Sequence, residues 1–163
     1  MIRYTTAASD LGRVLLAATD RGVCAVSIAD ADAAHEAFLA SEFPGAELAR
    51  EDAALAGWLK ELLKAAAGEA HRLPPLDVRA TVFQRRVWDE LRRIPRGKTR
   101  TYSQLAASLG QPTAARAVAR ACATNPTAVL VPCHRVVGSD GSLRGFRWGL
   151  ATKQRLIDAE RRG

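Results

Sequence analysis

The stretch "TYSQLAASLGQPTAARAVARACATNP", Thr101–Pro126, carries two short helical patterns on either side of a four-residue turn. Thr101 and Gln104 have the spacing of a capping box, in which each side chain bonds the other residue's backbone N–H. The helix it opens is expected to end near Leu109, because Gly110 tolerates the left-handed conformation that terminates helices. "GQPT" then turns the chain, and Thr113 is placed to cap a second helix over roughly Ala114–Ala123, which ends before "TNP". Two short helices around a turn containing glycine read as a helix-turn-helix. At about 100° per residue, Ala115, Val118 and Cys122 fall on one side of the second helix, and Arg116 and Arg120 on the other. Cys122 therefore reads as a buried structural thiol. The two arginines suit a nucleic-acid backbone or groove, or are ordinary surface charges.

The pattern upstream sets where this helical region begins. Thr81 and Gln84 make another capping box, for a helix running to about Ile94 with an apolar stripe of Phe83, Val87, Leu91 and Ile94. "PRGK" turns the chain toward Thr101. Earlier still the period changes. "IRYTT", "RVLLAAT" and "VCAVSIA" are strand-like runs separated by the turn chemistry of "SDLG" and "DRG". In the third run Cys24, Val26 and Ile28 alternate onto one face, which makes Cys24 an inert core thiol. Two helices are expected near Ala31–Phe43 and Asp52–Ala67, the second with Leu55, Trp58, Leu59, Leu62 and Leu63 at helical spacing. The proline-bearing "EAHRLPPLDV" breaks that pattern, and the boundary is placed near Pro74–Leu76. The expectation is an α+β chain of two domains. Residues 1–76 hold a small antiparallel three-stranded sheet with helices, and residues 77–163 form a helical domain.

Composition narrows the class. A chain of 163 residues that is 48% apolar and 6% aromatic fits a globular protein. It has no apolar run of membrane-spanning length, and "MIRYTTAASD" has no signal-peptide pattern, so a cytoplasmic protein without a membrane partner is expected. Three cysteines without CxxC spacing argue against a disulfide framework and against a zinc site of the usual kind, so no metal is expected. Charge divides the halves. Residues 1–76 carry 7 Lys and Arg against 11 Asp and Glu, a net of −4, and residues 77–163 carry 17 against 6, a net of +11. A basic half is the electrostatic footprint of a nucleic-acid binder, or an arginine-rich solvated surface.

The third cysteine is unlike the others. In "VLVPCHRVVG", Val129–Gly138, Cys133 falls on no amphipathic stripe and ends an expected extended segment, Ala128–Val131. Pro132 restrains the backbone before it. His134 and Arg135 follow, a base and a positive charge of the kind that lower a thiol pKa and activate it as a nucleophile. Adjacent residues on a strand point oppositely, so adjacency alone does not give a direct Cys–His contact.

The longer stretch "PCHRVVGSDGSLRGFRWGLATKQRLIDAE", Pro132–Glu160, preceded by "RAVARACATNP" and by "TVFQRRVWDELRRIPRGKTRTYSQLAASLG", resembles the O6-alkylguanine-DNA alkyltransferase family. It looks most like the C-terminal half of the bacterial adaptive-response regulator. The resemblance is strong over about Thr81–Glu160, whereas the first half matches only in layout. It implies a ribonuclease-H-like N-terminal domain followed by a helix-turn-helix domain that carries the active site. It also implies a monomer that repairs double-stranded DNA by moving the alkyl group of O6-alkylguanine, and less well of O4-alkylthymine, onto its own cysteine, without a cofactor and without regeneration. By the resemblance Cys133 is the acceptor, His134 activates it through a bridging water, Glu160 orients His134, and Asn125 is the hinge under the site. Arg116 takes the place of the extruded base, Tyr102 helps rotate the nucleotide out, and the helix-turn-helix approaches the minor groove. Ala117 and Ala121 beside Arg116 and Arg120 fit that close approach. Pro132, Phe146, Arg147 and Trp148 are expected at the substrate pocket, with bulk at Arg147 and Trp148 limiting large alkyl groups. Arg135 is expected to be structural; Lys153 projects near the same face as Glu160, and a simple surface ion pair between them is the alternative to an orienting role for that carboxylate.

Other classes remain open at this stage. A cysteine hydrolase would use the same Cys–His pair but leaves the helix-turn-helix unexplained. A non-enzymatic damage-binding protein of the same fold would lack the acceptor, which Cys133 supplies. A methylation-triggered regulator is not expected of this chain alone, because such regulators add a domain with a four-cysteine zinc site.

Overall fold

The computed structural model describes residues 1–69 and 72–162; Ala70 and His71 of the expected linker lie outside them, as does Gly163. The chain forms two compact units. One holds Met1–Ala66, the segment leading to Val78, and Pro126–Leu130; the other holds Ala67–Glu69, Arg79–Asn125 and the chain from Val131 onward.

The first unit is built on β1 (Ile2–Ser9), β2 (Gly12–Ala18) and β3 (Val23–Ala29), paired antiparallel as the alternating runs and short turns dictate. A fourth strand, β4 (Leu48–Arg50), adds parallel to β1 and gives the order β3-β2-β1-β4. "LAR" is too short to show alternation. Its strand character comes from β1, with Ile2 N donating to Glu47 O at 2.9 Å and Glu51 N to Tyr4 O at 3.0 Å. Helix α1 (Asp32–Glu42) buries His35 and Leu39, and the core joins Leu39 to Ile2, Leu15, Ala17, Cys24 and Ala25. Cys24 lies in that core as its pattern predicts, and burial pushes its thiol up to about 11. Helix α2 (Asp52–Ala66) buries Leu55, Leu62 and Ala66. Two passes of chain cover the edge of β3. Val23 N donates to Pro75 O and Val26 N to Pro126 O, both at 2.8 Å, so the edge is not left open for pairing with other chains.

The second unit is helical. Both capping boxes form, with Gln84 N on Thr81 Oγ1 at 3.1 Å and Gln104 N on Thr101 Oγ1 at 3.0 Å. They open α3 (Val82–Arg93) and α4 (Tyr102–Ser108). Helix α3 buries Val87, Trp88 and Leu91, and Ile94 beyond it is also buried. Each such side chain contributes about 1.5–3 kcal/mol of transfer free energy. Trp88 Nε1 donates to Ala121 O at 2.9 Å, which pins α3 to α5 (Ala115–Ala123). Gly110 takes φ +74 and ends α4, with Gly110 N on Ala107 O and Gln111 N on Ala106 O, each at 3.0 Å. The cap of α5 differs from expectation: Ala114 is its N-cap, with no side-chain cap, and Thr113 does not fill the role. Downstream a single 3-10 turn, Cys133–Arg135, leads into β6 (Val136–Val137), which pairs parallel with β5 (Arg100–Thr101). Helix α6 (Leu150–Arg162) closes the unit and buries Lys153, Leu156, Ile157, Ala159 and Glu160. No helix among the described residues is long and apolar enough to cross a membrane.

Candidate active site

The segment before Cys133 is not extended. Leu130 N donates to Ala128 O at 2.8 Å, closing a three-residue turn with Val129 at its centre and φ +72. A β-branched residue there is strained by about 1–3 kcal/mol. Two residues on, Cys133 N donates to Val131 O at 2.8 Å around Pro132, whose φ −81 and ψ 63 are those of an inverse γ-turn. The ring of Pro132 fixes the φ this turn requires. Proline and β-branched residues favour extended chain locally, but successive tight turns place Cys133 at the head of the 3-10 turn instead.

Asn125 holds this geometry. Its Nδ2 donates to Val131 O at 2.9 Å and to Cys133 Sγ at 3.3 Å. One amide thus grips the carbonyl that already closes the turn and also points a proton at sulfur. Cys133 is 4% exposed. Burial raises its pKa to about 11, against the opposing Asn125 hydrogen bond and the charges of Lys153 and Arg147. The resting thiol is therefore protonated and needs a base.

His134, Arg135 and Glu160 supply one. Glu160 Oε1 lies against His134 Nε2. Arg135 Nε donates to Oε2 of the same carboxylate at 2.8 Å and to Oε1 at 3.2 Å, and Gly97 N donates to Oε2 at 3.2 Å. Arg135 also donates from a terminal nitrogen to Ile94 O at 2.7 Å. Burial alone would raise the Glu160 pKa, but hydrogen bonds and charge from His134 and Arg135 outweigh it and hold it at about 2. The carboxylate is ionised and can only accept, so His134 Nε2 carries the proton it donates. Burial keeps His134 below its ordinary pKa despite Glu160, so at neutral pH the ring is neutral and Nδ1 is a bare lone pair. His134 Nδ1 is buried without a hydrogen-bond partner within the protein. Such an arrangement can act as a general base, a neutral imidazole aimed by a carboxylate that is in turn fixed by an arginine.

The neighbouring cavity, about 840 Å³, is lined by Tyr102 and Ser103 of α4, by Ala115, Arg116, Ala119, Arg120 and Ala123 of α5, and by Gly138, Ser139 and Arg144–Arg147 of the loop before α6. Tyr102, Arg116 and Arg120, expected at the DNA, and Phe146 and Arg147, expected at the substrate pocket, thus share one cavity. Ala117, Pro132 and Trp148 do not line it. Pro132 is buried at its turn, and Trp148 packs edge-on against Phe146 at 5.4 Å with the Arg147 guanidinium 5.9 Å from its ring. The small residues of α5 divide between the core and the cavity. Ala121 is buried under Trp88, whereas Ala115, Ala119 and Ala123 face the cavity. Tyr102 is held protonated, burial and then the Cys122 and Cys133 charges pushing it up to about 12.

Lys153 departs most from expectation. The alternative of a surface ion pair with Glu160 is not formed among the described residues; Lys153 is 0% exposed, its Nζ donates to Arg144 O at 3.1 Å, and it sits 5.9 Å from the centre of the Tyr102 ring. The sequence signal is faint: at helical spacing Lys153 shares a face with Leu156, Ile157 and Glu160.

Residues 82–162 match the family described as 6-O-methylguanine DNA methyltransferase, DNA binding domain. Over 160 residues the chain is 44% identical to the bifunctional transcriptional activator/DNA repair enzyme Ada of Escherichia coli, covering 98% of this chain but 45% of that one. The chain thus spans about half the length of that relative. It is 40% identical over 163 residues to the methylated-DNA–protein-cysteine methyltransferase of Mycolicibacterium paratuberculosis, covering 99% of this chain and 94% of that one. Among solved structures it is similar to Mycobacterium tuberculosis OGT in complex with DNA, with a TM-score of 0.84 and 34% identity over 98% of this chain and 93% of the other.

Proposed function

Because the chain belongs to the methylated-DNA–protein-cysteine methyltransferase family, we propose that it reverses alkylation damage in double-stranded DNA by moving the alkyl group of O6-alkylguanine, and less well of O4-alkylthymine, onto Cys133. The observation that carries this reading is the buried thiol beside a neutral histidine whose tautomer is fixed by Glu160 and Arg135. His134 Nδ1 takes the thiol proton through a bridging water. The sulfur then attacks the alkyl carbon in line and displaces O6, and the leaving guanine takes up the proton that His134 accepted. The target oxygen lies inside the base stack, so the nucleotide must be extruded, at a cost of a few kcal/mol that damage reduces. The cavity between α5 and the loop before α6 receives it. Arg116, exposed at the mouth, fills the gap in the duplex, and Tyr102 helps turn the nucleotide. The cavity-facing alanines of α5 let the helix approach the minor groove.

Residues 77–163, less the Pro126–Leu130 segment that belongs to the first unit, act as the DNA-binding and acceptor domain, and residues 1–76, with that segment and without Ala67–Glu69, as a separate domain, in a monomer that needs no cofactor. A cytoplasmic site fits three unpaired cysteines, one of which must stay reduced to react.

The reaction consumes the protein. An S-alkyl cysteine is a thioether, which water does not cleave under mild conditions. Mixed with excess duplex containing O6-methylguanine, the protein is expected to form product only up to its own concentration. The intact mass rises by one methyl group, on the peptide containing Cys133. Product growing linearly past one equivalent refutes self-alkylation and favours a hydrolase.

Arg116→Ala separates extrusion from chemistry. Duplex repair is expected to fall about tenfold or more, the effect of a cost of 1.4 kcal/mol, while transfer from free O6-methylguanine base stays within about twofold. Equal losses on both substrates would remove Arg116 from the extrusion step.

A further inference from the structure

Among the described residues Lys153 is the largest fully buried side chain, and it is of a type that is ordinarily charged. Among the described residues no carboxylate lies within ion-pair distance of its Nζ, and its hydrogen bond goes to a neutral carbonyl, Arg144 O, at 3.1 Å. A buried ammonium that lacks an anion is costly, and proteins retain such groups where an opposing charge meets them. The face of Tyr102, 5.9 Å away, offers only the weak field of a ring. Besides the Tyr102 phenol, the groups among the described residues that could carry a negative charge toward it are two thiols, Cys133 at the head of the 3-10 turn against which α6 packs, and Cys122 on α5. Glu160, on the same helix, already accepts from His134, Arg135 and Gly97.

We propose that Lys153 is a positioning residue whose buried ammonium is the counter-charge of the Cys133 thiolate, and whose bond to Arg144 O ties the substrate loop to the wall of the cavity formed by Tyr102. The proposal deepens the alkyl-transfer reading and rests on it for the role of Cys133. Of the two thiols, Cys133 is the one that also receives the Asn125 amide proton. Among the described residues no such donor reaches Cys122, and its burial pushes it further from ionisation. The coupling is mutual: burial depresses Lys153 while the thiolate charges of Cys133 and Cys122 pull it back up, and the Lys153 charge pulls Cys133 down. The other charge acting on the thiol is Arg147, in the same sense, whereas Arg135 and Glu160 pair with one another at the neighbouring His134. Through Arg144 O the same ammonium holds the loop that carries Phe146 and Arg147 into the cavity. One buried cation thereby links the state of the nucleophile to the shape of the pocket it serves.

The test is iodoacetamide alkylation of the full chain across pH, with Cys133 followed by peptide mapping. In Lys153→Met, labelling of Cys133 is expected to fall about tenfold at each pH from roughly 7 to 9, as the thiol profile moves up by about one unit. Lys153→Arg, which keeps the charge, recovers most of the rate. Superimposable profiles for the wild type and Lys153→Met overturn the proposal. Should Lys153→Met fail to fold, reciprocity supplies a second arm that leaves Lys153 in place. In Cys133→Ser the titration midpoint of Lys153 Nζ, read by lysine-labelled NMR, is expected to fall, and an unchanged midpoint overturns the coupling. Iodoacetamide needs no DNA. A wild-type protein that shows the coupling but gains no methyl group from an O6-methylguanine duplex would sink the repair reading and leave the coupling standing.

Discussion

Cys133→Ser is expected to transfer no detectable alkyl group from O6-methylguanine duplex while binding that duplex within about twofold of wild type. A serine hydroxyl fits the space of the thiol and can still accept from Asn125 Nδ2, so the turn around Pro132 survives. What is lost is the nucleophile. An alkoxide is far harder to form than a thiolate in a site where burial already raises the thiol to about 11. The arginines proposed to meet DNA, Arg116 and Arg120, lie on α5 and are untouched. Cys24→Ser and Cys122→Ser serve as controls. Both thiols are buried, Cys24 in the core of the first unit and Cys122 on the inner face of α5. These variants should cost stability by about 1–3 kcal/mol through burial of a hydroxyl and retain one equivalent of transfer. Mass-spectrometric titration against excess duplex decides between them. Transfer retained by Cys133→Ser and lost in either control would move the acceptor elsewhere.

What was legible in the sequence was local. The two capping boxes, the turn at Gly110 and the stripe of α3 are written in residues three or four apart, and each forms as read. The three antiparallel strands follow from alternation and short turns for the same reason. Strand β4 escaped because three residues acquire strand character only through pairing with β1, more than forty residues away in the chain. The path into Cys133 escaped for a related reason. "AVLV" has strand composition, but consecutive three-residue turns form instead, the one with a valine at φ +72 closed on Ala128 O and the next closed on Val131 O, which Asn125 also holds. At the site, Cys133, His134, Glu160 and Asn125 were named from a resemblance, yet spacing could not show that His134 Nε2, rather than Nδ1, faces Glu160. Nor could spacing bury Lys153. A lysine in the first turn of a helix is ordinarily solvated, and only the packing of Tyr102 and the Arg144 loop over it makes it interior.

The arrangement around Glu160 yields the second large expected effect. In Glu160→Gln the side chain keeps its shape but loses its charge and gains an N–H. Arg135 retains an acceptor only if the amide oxygen turns toward it, and the amide nitrogen then meets His134 Nε2 as donor against donor. The ring relieves that clash by moving its proton to Nδ1, which removes the lone pair that accepts from Cys133. Alkyl transfer is expected to fall about 10²–10⁴-fold, the range for loss of a general base or of its tautomer. Arg135, now facing an uncharged partner in a half-buried setting, makes the variant less stable by about 3–5 kcal/mol at neutral pH. Acid then separates the two proteins. Glu160 is held at about 2 when folded, against an ordinary 4.5. Its contribution to stability is therefore complete above about 4.5 and disappears as pH falls toward 2. His134 is also depressed on folding, so both proteins weaken below about 6.5 as the unfolded chain takes up a proton that the native ring refuses. The wild type alone loses the Glu160 increment at lower pH. Urea midpoints measured from pH 7 to 3 are expected to converge, with Glu160→Gln falling less steeply below about 4.5. Parallel curves over that range, or a variant that repairs O6-methylguanine at the wild-type rate, would mean that Glu160 neither holds His134 nor anchors Arg135.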